Sequence, residues 1–422
     1  MTSPPRDNRV TGLGPRYWRL WTASTTSALG DGITIAALPL LAASLSTDPR
    51  LIAGLGTTAA LPWLVFSLHA GALVDRFDRR RVLWIMDVVR GVVTVLIAVS
   101  VFAHWARLPL LYCTSLIIGF AEVLFSNAAQ AIVPSVVDGA RLETANGWQY
   151  SSETVGRQFA GPPIGALVFA ALAGLPFVLD GISFFASAIL ILSVRGDFRP
   201  ARPATGNGAR PKMRAEIAEG LRWLFAHRLL RTPAISLGIF NFGTAGTGAL
   251  LVLLTRERMH VGTRGYGLLL AGAAVGSVVG GLVGSRLTRR IGQGRTLLLA
   301  IIASASSMFG VGLTHSPVVA IMLMTIEGLF GVCWNVVTVA LRQQIIPKAL
   351  FGRVNSAYRL FGLGMMPLGA LAGGFIAHAF SINTPNFVLA AVILSLVIPV
   401  GLVATDAAVA AARQQAPNDP AT

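Results

Sequence analysis

Ser24, Ser27, Asp31 and Thr34 follow one another at intervals of three or four residues inside an otherwise apolar run, so on a helix they form one polar stripe. A second apolar run carries Ser115, Gly119, Glu122 and Ser126 on one face, and a third carries Glu327, Gly331, Trp334, Thr338 and Arg342. Placing an ionised side chain in lipid costs on the order of 2.5–3.5 kcal/mol, so each of these carboxyls needs a partner or a wet cavity. The chemistry open to it is reversible binding of a proton or cation, controlled by which side water reaches. Asp31 is the first candidate for that role, Glu122 the second and Glu327 the third. Against each stands a bland alternative, a carboxylate held by neighbouring helices for structure alone. Thr34, Ser126 and Thr338 are candidate cavity-lining groups, and Trp334 is a candidate surface for an apolar ligand.

Other ionisable residues inside apolar runs carry weaker signals. Glu153 and Arg157 are four apart and should meet within one helix turn, as an inert pair or with Arg157 reaching a central cavity. Asp87 with Arg90, and Arg359, read as structural. Asp180 reads as a residue near a helix amino terminus. Gly161, Pro162 and Gly165 remove side chains and one backbone donor, which permits a bend and close helix contact. The six histidines make no helix-spaced metal pair, and Cys113 and Cys333 lie in separate apolar runs, so neither a metal site nor a disulfide framework is expected.

The elements that must position these groups are set by composition. The chain has 422 residues, of which 54% are hydrophobic and 12% charged, with a mean hydropathy of +0.67. Soluble domains carry roughly 25% charge, so the expected solvent for most of this chain is lipid. A net charge of +16 would suggest nucleic acid in a soluble protein. Here the basic residues cluster between apolar runs, which is a topological pattern, and no nucleic-acid partner is expected.

Runs of about 20 apolar residues give twelve expected spans. They are 18–43, 51–74, 82–104, 109–133, 150–172, 177–194, 232–254, 265–284, 296–314, 317–345, 355–379 and 387–405. With the amino terminus inside, 26 of the 34 basic residues fall in inside segments, which predicts both termini to be cytoplasmic. The first run follows Arg16 and Arg19 and lacks a small-residue cleavage site, so it reads as a retained span. The polar stretch 196–231 opens with Pro200, Pro203, Gly206 and Gly208 and reads as a linker. Its second part places Ile217, Leu221, Leu224 and Phe225 opposite Arg214, Glu219, Arg222 and Arg228, which predicts a basic amphipathic helix on the cytoplasmic surface.

The chain also repeats. Shifted by 210 residues, Gly71, Arg76, Arg79 and Arg80 meet Gly281, Arg286, Arg289 and Arg290, and Asp31 meets Asn241, a second-half cavity candidate that cannot titrate. At 209 residues Asn146 meets Asn355. The expected organisation is a tail at 1–17, a six-helix bundle at 18–195, the linker at 196–231, a second six-helix bundle at 232–405 and a tail at 406–422. Parallel repeats of this kind are a transporter architecture with the substrate between the halves.

Gly71-Ala-Leu-Val-Asp75-Arg76-Phe-Asp78-Arg79-Arg80-Arg81 resembles the signature loop between spans two and three of the major facilitator superfamily, with Asp78 where glycine is usual. Gly161-Pro162-Pro163-Ile164-Gly165-Ala166 is similar to the antiporter motif of its exporters, with Ala166 for the last glycine and Arg157 where an earlier glycine is expected. Leu29-Gly30-Asp31-Gly32, Val133-Pro134, Ala145-Asn146 and Asp180 through Phe184 resemble the drug–proton antiporter branch called transmembrane secretion effectors, which includes enterobactin exporters and macrolide efflux proteins.

The resemblance implies an all-α protein of two pseudo-symmetric six-helix bundles in the bacterial cytoplasmic membrane. It also implies a loop latch, in which Asp75, with Arg76, Arg79, Arg80 and Arg81, meets the amino terminus of span eleven at Asn355. The function implied is proton-coupled export of amphipathic or lipophilic small molecules, such as antibiotics or siderophores. No phosphate loop exists and the only lysines are Lys212 and Lys348, so no ATP and no cofactor is expected, and a proton gradient must drive the work. Expected partners are a small-molecule substrate, protons and the bilayer, and a monomer is expected. Uptake by symport or facilitation is the competing transport reading, and a membrane scaffold or sensor the competing class. A membrane enzyme lacks the convergent histidines and acids it would need.

Overall fold

The computed structural model describes residues 12–74, 76–196, 198, 213–347 and 350–404. Both tails, most of the linker's first part, Asp75 and Lys348 lie outside the described residues, as does the side chain of Arg359. Among the described residues the regular structure is entirely helical. The first half contains α1 (Gly14–Leu45), α2 (Pro49–Val74), α3 (Arg79–Phe102), α4 (Leu108–Ile132), α5 (Leu142–Thr154), α6 (Gly161–Ala171) and α7 (Leu175–Ser193). The second contains α8 (Met213–Ala226), α9 (Arg228–Gly248), α10 (Leu251–Glu257), α11 (Thr263–Ile291), α12 (Gln293–Leu313), α13 (Pro317–Ile345), α14 (Phe351–Ala379), α15 (Thr384–Leu394) and α16 (Val397–Val403).

Among the described residues nine helical stretches are long and apolar enough to cross a membrane, or ten if α9 and α10, bent by 42°, count as one. Helices α1, α2, α3 and α4 begin at residues 14, 49, 79 and 108, and α9, α11, α12 and α13 at residues 228, 263, 293 and 317. The repeat is thus 214 residues at the first three helices and 209 at the fourth, against the 210 read from the loop motif.

Helix starts follow local chemistry. The Asp78 side chain accepts from the Arg81 backbone N–H at 3.1 Å and caps α3, which gives the unusual aspartate of the loop a structural task. Pro317 opens α13 behind the Ser316 cap, where its missing N–H is harmless. Helix α14 starts at Phe351, so Asn355 lies one turn inside it and its N–H is not a free helix end, contrary to the expected latch geometry.

At the end formed by the α1–α2 and α10–α11 connections, one continuous apolar core draws on both halves, from Ala36 to Leu41, Ile52 and Phe177 to Leu250, Leu253 and Ala377. Helix α2 lies along α14 and α6 along α11 there. Arg256 Nη1 donates to the Ala43 carbonyl at 3.3 Å, and His378 Nδ1 lies 3.7 Å from Asp48. Hydrogen bonds from Arg50 hold the Asp48 carboxyl below the usual range. At the opposite end the two halves keep separate cores, one around Leu20, Leu83 and Phe125, another around Leu297, Trp334 and Leu389.

The linker helix departs from expectation. Leu221 and Leu224 pack on Val354, Ala357 and Tyr358 of α14, so the apolar face covers protein and not lipid. Glu219 accepts from Arg353 at 2.7 Å, and the helix ends at Ala226, where the Trp223 ring stacks on His227 at 3.8 Å. Leu224 is fully buried. Leu224→Ala is expected to cost about 2–5 kcal/mol and to lower the thermal unfolding midpoint of the detergent-solubilised protein, whereas truncating the exposed Phe225 lowers it much less.

Candidate functional site

Arg90 on α3 has no exposed surface. Its guanidinium pairs with Asp87 one turn earlier and with Glu122 on α4, donates to Ser27 Oγ at 3.3 Å, and lies 3.5 Å from Asp31 on α1. The Phe125 and Phe184 rings stand 4.3 and 4.4 Å from its central carbon, so its flat surfaces meet aromatic faces while its edge meets carboxylates. Four helices therefore converge on one cation.

Arg157 completes the cluster. It pairs with the other oxygen of Glu122 and lies 3.7 Å from Asp31, with Glu153 within electrostatic reach. Side-chain exposure falls from 27% at Arg157 to 11% at Asp31, 7% at Glu122 and zero at Arg90 and Asp87, so the cluster is layered from a wet edge to a dry centre. The wet edge is a small cleft of about 40 Å³ lined by Ser24, Ser27, Asp31, Glu122, Ser126, Gln149, Glu153 and Arg157. It combines carboxyls, a guanidinium, hydroxyls and the Phe125 ring, a mixed lining with room for water beside the carboxyls.

The position of Arg157 has a local cause. Pro162 and Pro163 have no N–H, so the carbonyls of Gln158 and Phe159 lose their usual α-helical partners. The chain responds with a π-helical turn over Val155–Ala160, directly before α6, and Arg157 projects from it. Gly161 then rests on α1: a Cβ there would lie 2.5 Å from Gly32 Cα, and one on Gly165 would run into the Ile33 carbonyl. Backbone contact at Gly32 and Gly161 fixes the neighbouring Asp31 and Arg157 relative to each other.

The cluster unites Asp31, Glu122 and Arg157, and Ser126 joins its cleft. Three residues read as peripheral or structural belong to it as well. Arg90 is its centre and Asp87 its innermost carboxyl. Asp180 corrects the expectation of a helix-terminal residue: it lies in the second turn of α7, 1% exposed, and accepts from Thr34 Oγ1 at 2.5 Å. The discoverable signal was the i, i+3 spacing of Asp87 and Arg90 in mid-span. Asp180 had none, because span six was placed without knowing which face meets span one.

The second-half candidates stand apart. Glu327 is partly buried on α13 and makes no hydrogen bond or ion pair among the described residues. Trp334 is 5% exposed in the core between α12, α13 and α15, and Thr338 bonds to the Trp334 carbonyl at 3.0 Å, so neither lines the cleft. The Asn241 amide donates to the Gly362 carbonyl at 2.9 Å, a helix-to-helix tie.

The latch arginines serve the first half. Arg80 Nη2 donates to the Leu192 carbonyl at 2.5 Å and Nε to Ile191 at 3.3 Å, capping α7, while Arg76 is exposed. The Arg79 N–H donates to the Phe198 carbonyl at 3.4 Å, and Arg81 makes the Asp78 cap contact. Asn355 Oδ1 accepts from Arg342 at 2.5 Å, and Gly71 lies near the end of α2. Asp75 is outside the described residues.

Removing Arg90 would leave buried carboxylates with Arg157 as their one guanidinium. Arg90→Leu is expected to destabilise the protein by about 3–5 kcal/mol, read as a lowered unfolding midpoint. Arg157→Leu, at the wet edge, should cost clearly less. Gly161→Val should separate α1 from α6 and lower the midpoint as strongly as a core overpacking mutation, about 1–3 kcal/mol.

The transmembrane secretion effector family model matches residues 15–420. The multidrug efflux pump Tap of Mycolicibacterium fortuitum is 26% identical over 92% of this chain and 95% of its own. The pump of that name from Mycobacterium tuberculosis strain H37Rv is 24% identical over 90% and 91%. Among solved structures, a mutant of the nucleoside transporter NupG has a TM-score of 0.74 at 11% identity, covering 91% of this chain and 98% of that one, which is a likeness of fold. The chain belongs to the transmembrane secretion effector family, major facilitator-type multi-pass membrane transporters, and is not an enzyme.

Proposed function

We propose that the protein is a proton-coupled exporter of amphipathic or lipophilic small molecules, working by alternating access in the bacterial cytoplasmic membrane. The observation that carries this reading is the buried cluster of Asp31, Asp87, Glu122, Arg90 and Arg157, wet only on the side of the cleft. Asp31 is the exchangeable proton carrier, because it touches both guanidiniums at the longer distances of 3.5 and 3.7 Å and lines the cleft. Glu122, clasped by both, is the fixed counter-charge. Glu327, with no cation partner, is a second-half proton candidate that acts independently of the cluster.

Export is supported by relatives named multidrug efflux pumps and by the backbone contact of Gly161 and Gly165 with α1. Adding α2 and the segment 142–171 to the ten candidate spans gives twelve, in two bundles of six, with both termini cytoplasmic and a monomer as the working unit. In this orientation the shared apolar core closes the outer end and the cleft opens inward. No cofactor is required: the proton gradient supplies the energy, and the substrate enters a cleft with both charged and aromatic walls.

The test uses inside-out membrane vesicles containing the protein, with ethidium as the probe. Acidifying the lumen should drive ethidium accumulation, and collapsing the gradient should reverse it. Asp31→Asn should abolish gradient-driven accumulation while ethidium exchange without a gradient persists. Accumulation indifferent to the gradient in the wild type would sink proton coupling and favour facilitated transport.

A further inference from the structure

The formal charges of the buried cluster do not balance. Asp31, Asp87, Glu122 and Asp180 are all buried in the first half, and the guanidiniums that meet them are Arg90 and Arg157. Arg90 is directed at Asp87, Glu122 and Ser27, and Arg157 at Glu122, with Asp31 at longer range from each. Asp180 receives neither. Among the described residues no basic nitrogen lies within ion-pair distance of it; its donor is the neutral hydroxyl of Thr34 at 2.5 Å, and the Ser183 hydroxyl, 3.4 Å from the carboxyl, donates to the Asp180 backbone carbonyl at 2.8 Å.

Water does not replace the missing cation, because α1 seals the site. Gly30 sits against it so closely that a Cβ there would run into Asp180 Oδ1 and Ser183 Oγ. The neighbouring buried carboxyl is provided for: Asp87 pairs with Arg90 and faces the Ser187 hydroxyl on α7. Asp180 is the buried carboxyl of the cluster whose oxygens meet neutral hydroxyls alone among the described residues. Around Asp180, α1 presents Asp31 and Thr34, α3 presents Asp87 and Arg90, α4 presents Glu122, and the turn before α6 presents Arg157.

We propose that Asp180 is a second proton-binding carboxyl, so that the cluster holds two protons, one exchangeable at Asp31 beside the cleft and one at Asp180 behind it. With both bound, Arg90 and Arg157 balance Asp87 and Glu122 and the cluster is neutral. Each proton adds to one carboxylate oxygen and leaves by the same bond, so no other reactant is needed. The pairing of the two sites rests on the reading of Asp31 as the carrier; the proton on Asp180 does not. Asp180 gives up its proton only when α1 separates from α7, which ties the second site to helix movement.

Infrared spectroscopy of the purified full-length protein in detergent at neutral pH tests this through the C=O stretch of protonated carboxyls. The wild type should show a band that Asp180→Asn removes and that Thr34→Val, which deletes the hydroxyl donor, shifts to higher frequency. A band spectrum unchanged by both substitutions overturns the proposal. Should Asp180→Asn fail to fold, Thr34→Val decides alone, a shift supporting the site and no shift refuting it. Ethidium accumulation is read separately: if the wild type fails to couple it to protons while the Asp180 band is present, the export reading falls and the proton site stands.

Discussion

A guanidinium with no exposed surface holds the first half together. Arg90 cannot lose its charge, so everything around it must answer that charge. Asp87 comes from its own helix, Glu122 from α4, Asp31 and Ser27 from α1, and the Phe184 ring from α7. An apolar helix bundle in lipid has little to favour one rotation of a helix over another, because lipid tails are as apolar as leucine. One buried cation with several committed partners sets the rotation of each of these helices, since a turn of any one would strand a carboxylate in hydrocarbon.

The two halves repeat their helices but not their chemistry. Every charged residue among the buried described residues lies in the first half, whereas the buried polar residues of the second are serines, threonines and Asn386. The Asn241 side chain ties α9 to the α14 backbone there, the Thr338 hydroxyl bonds back to its own helix, and Trp334 fills the core. Apart from partly buried Glu327, the second half is accordingly a neutral wall, and on the proposed reading the first half carries most of the groups whose charge can change. Such asymmetry suits a machine in which one bundle senses the ion while both enclose the solute.

Much of this was legible in the sequence because the rules of lipid solvation are strict. Runs of apolar residues marked the helices, and the stripe of Ser27, Asp31 and Thr34 marked a face that had to meet something polar. Partners were not legible, because a stripe states what a face needs and not which helix supplies it. Helical spacing left Arg157 open between a pair with Glu153 and a reach into a central cavity, and the π turn that carries its guanidinium across to Glu122 at the cleft is not written in that spacing. Asp180 was assigned by its distance from a span end, and the contact with Thr34 depends on a packing between α1 and α7 that no local pattern encodes. The linker helix shows the same limit: its apolar face was evident, and that α14 covers it was not.

The glycines of α1 give the cluster its mechanical connection. Gly30 brings the backbone onto Asp180, and Gly32 brings it onto Gly161, so one short segment with Asp31 at its middle touches both α7 and the turn that bears Arg157. A side chain at either glycine would open a gap of the size that admits water, and the longer contacts of Asp31 to Arg90 and Arg157 would weaken first. Movement of α1 and hydration of Asp31 are therefore, on the proposed reading, one event seen from two sides. On the proposed reading, the proton gradient acts on a helix whose packing and whose charge cannot be changed separately.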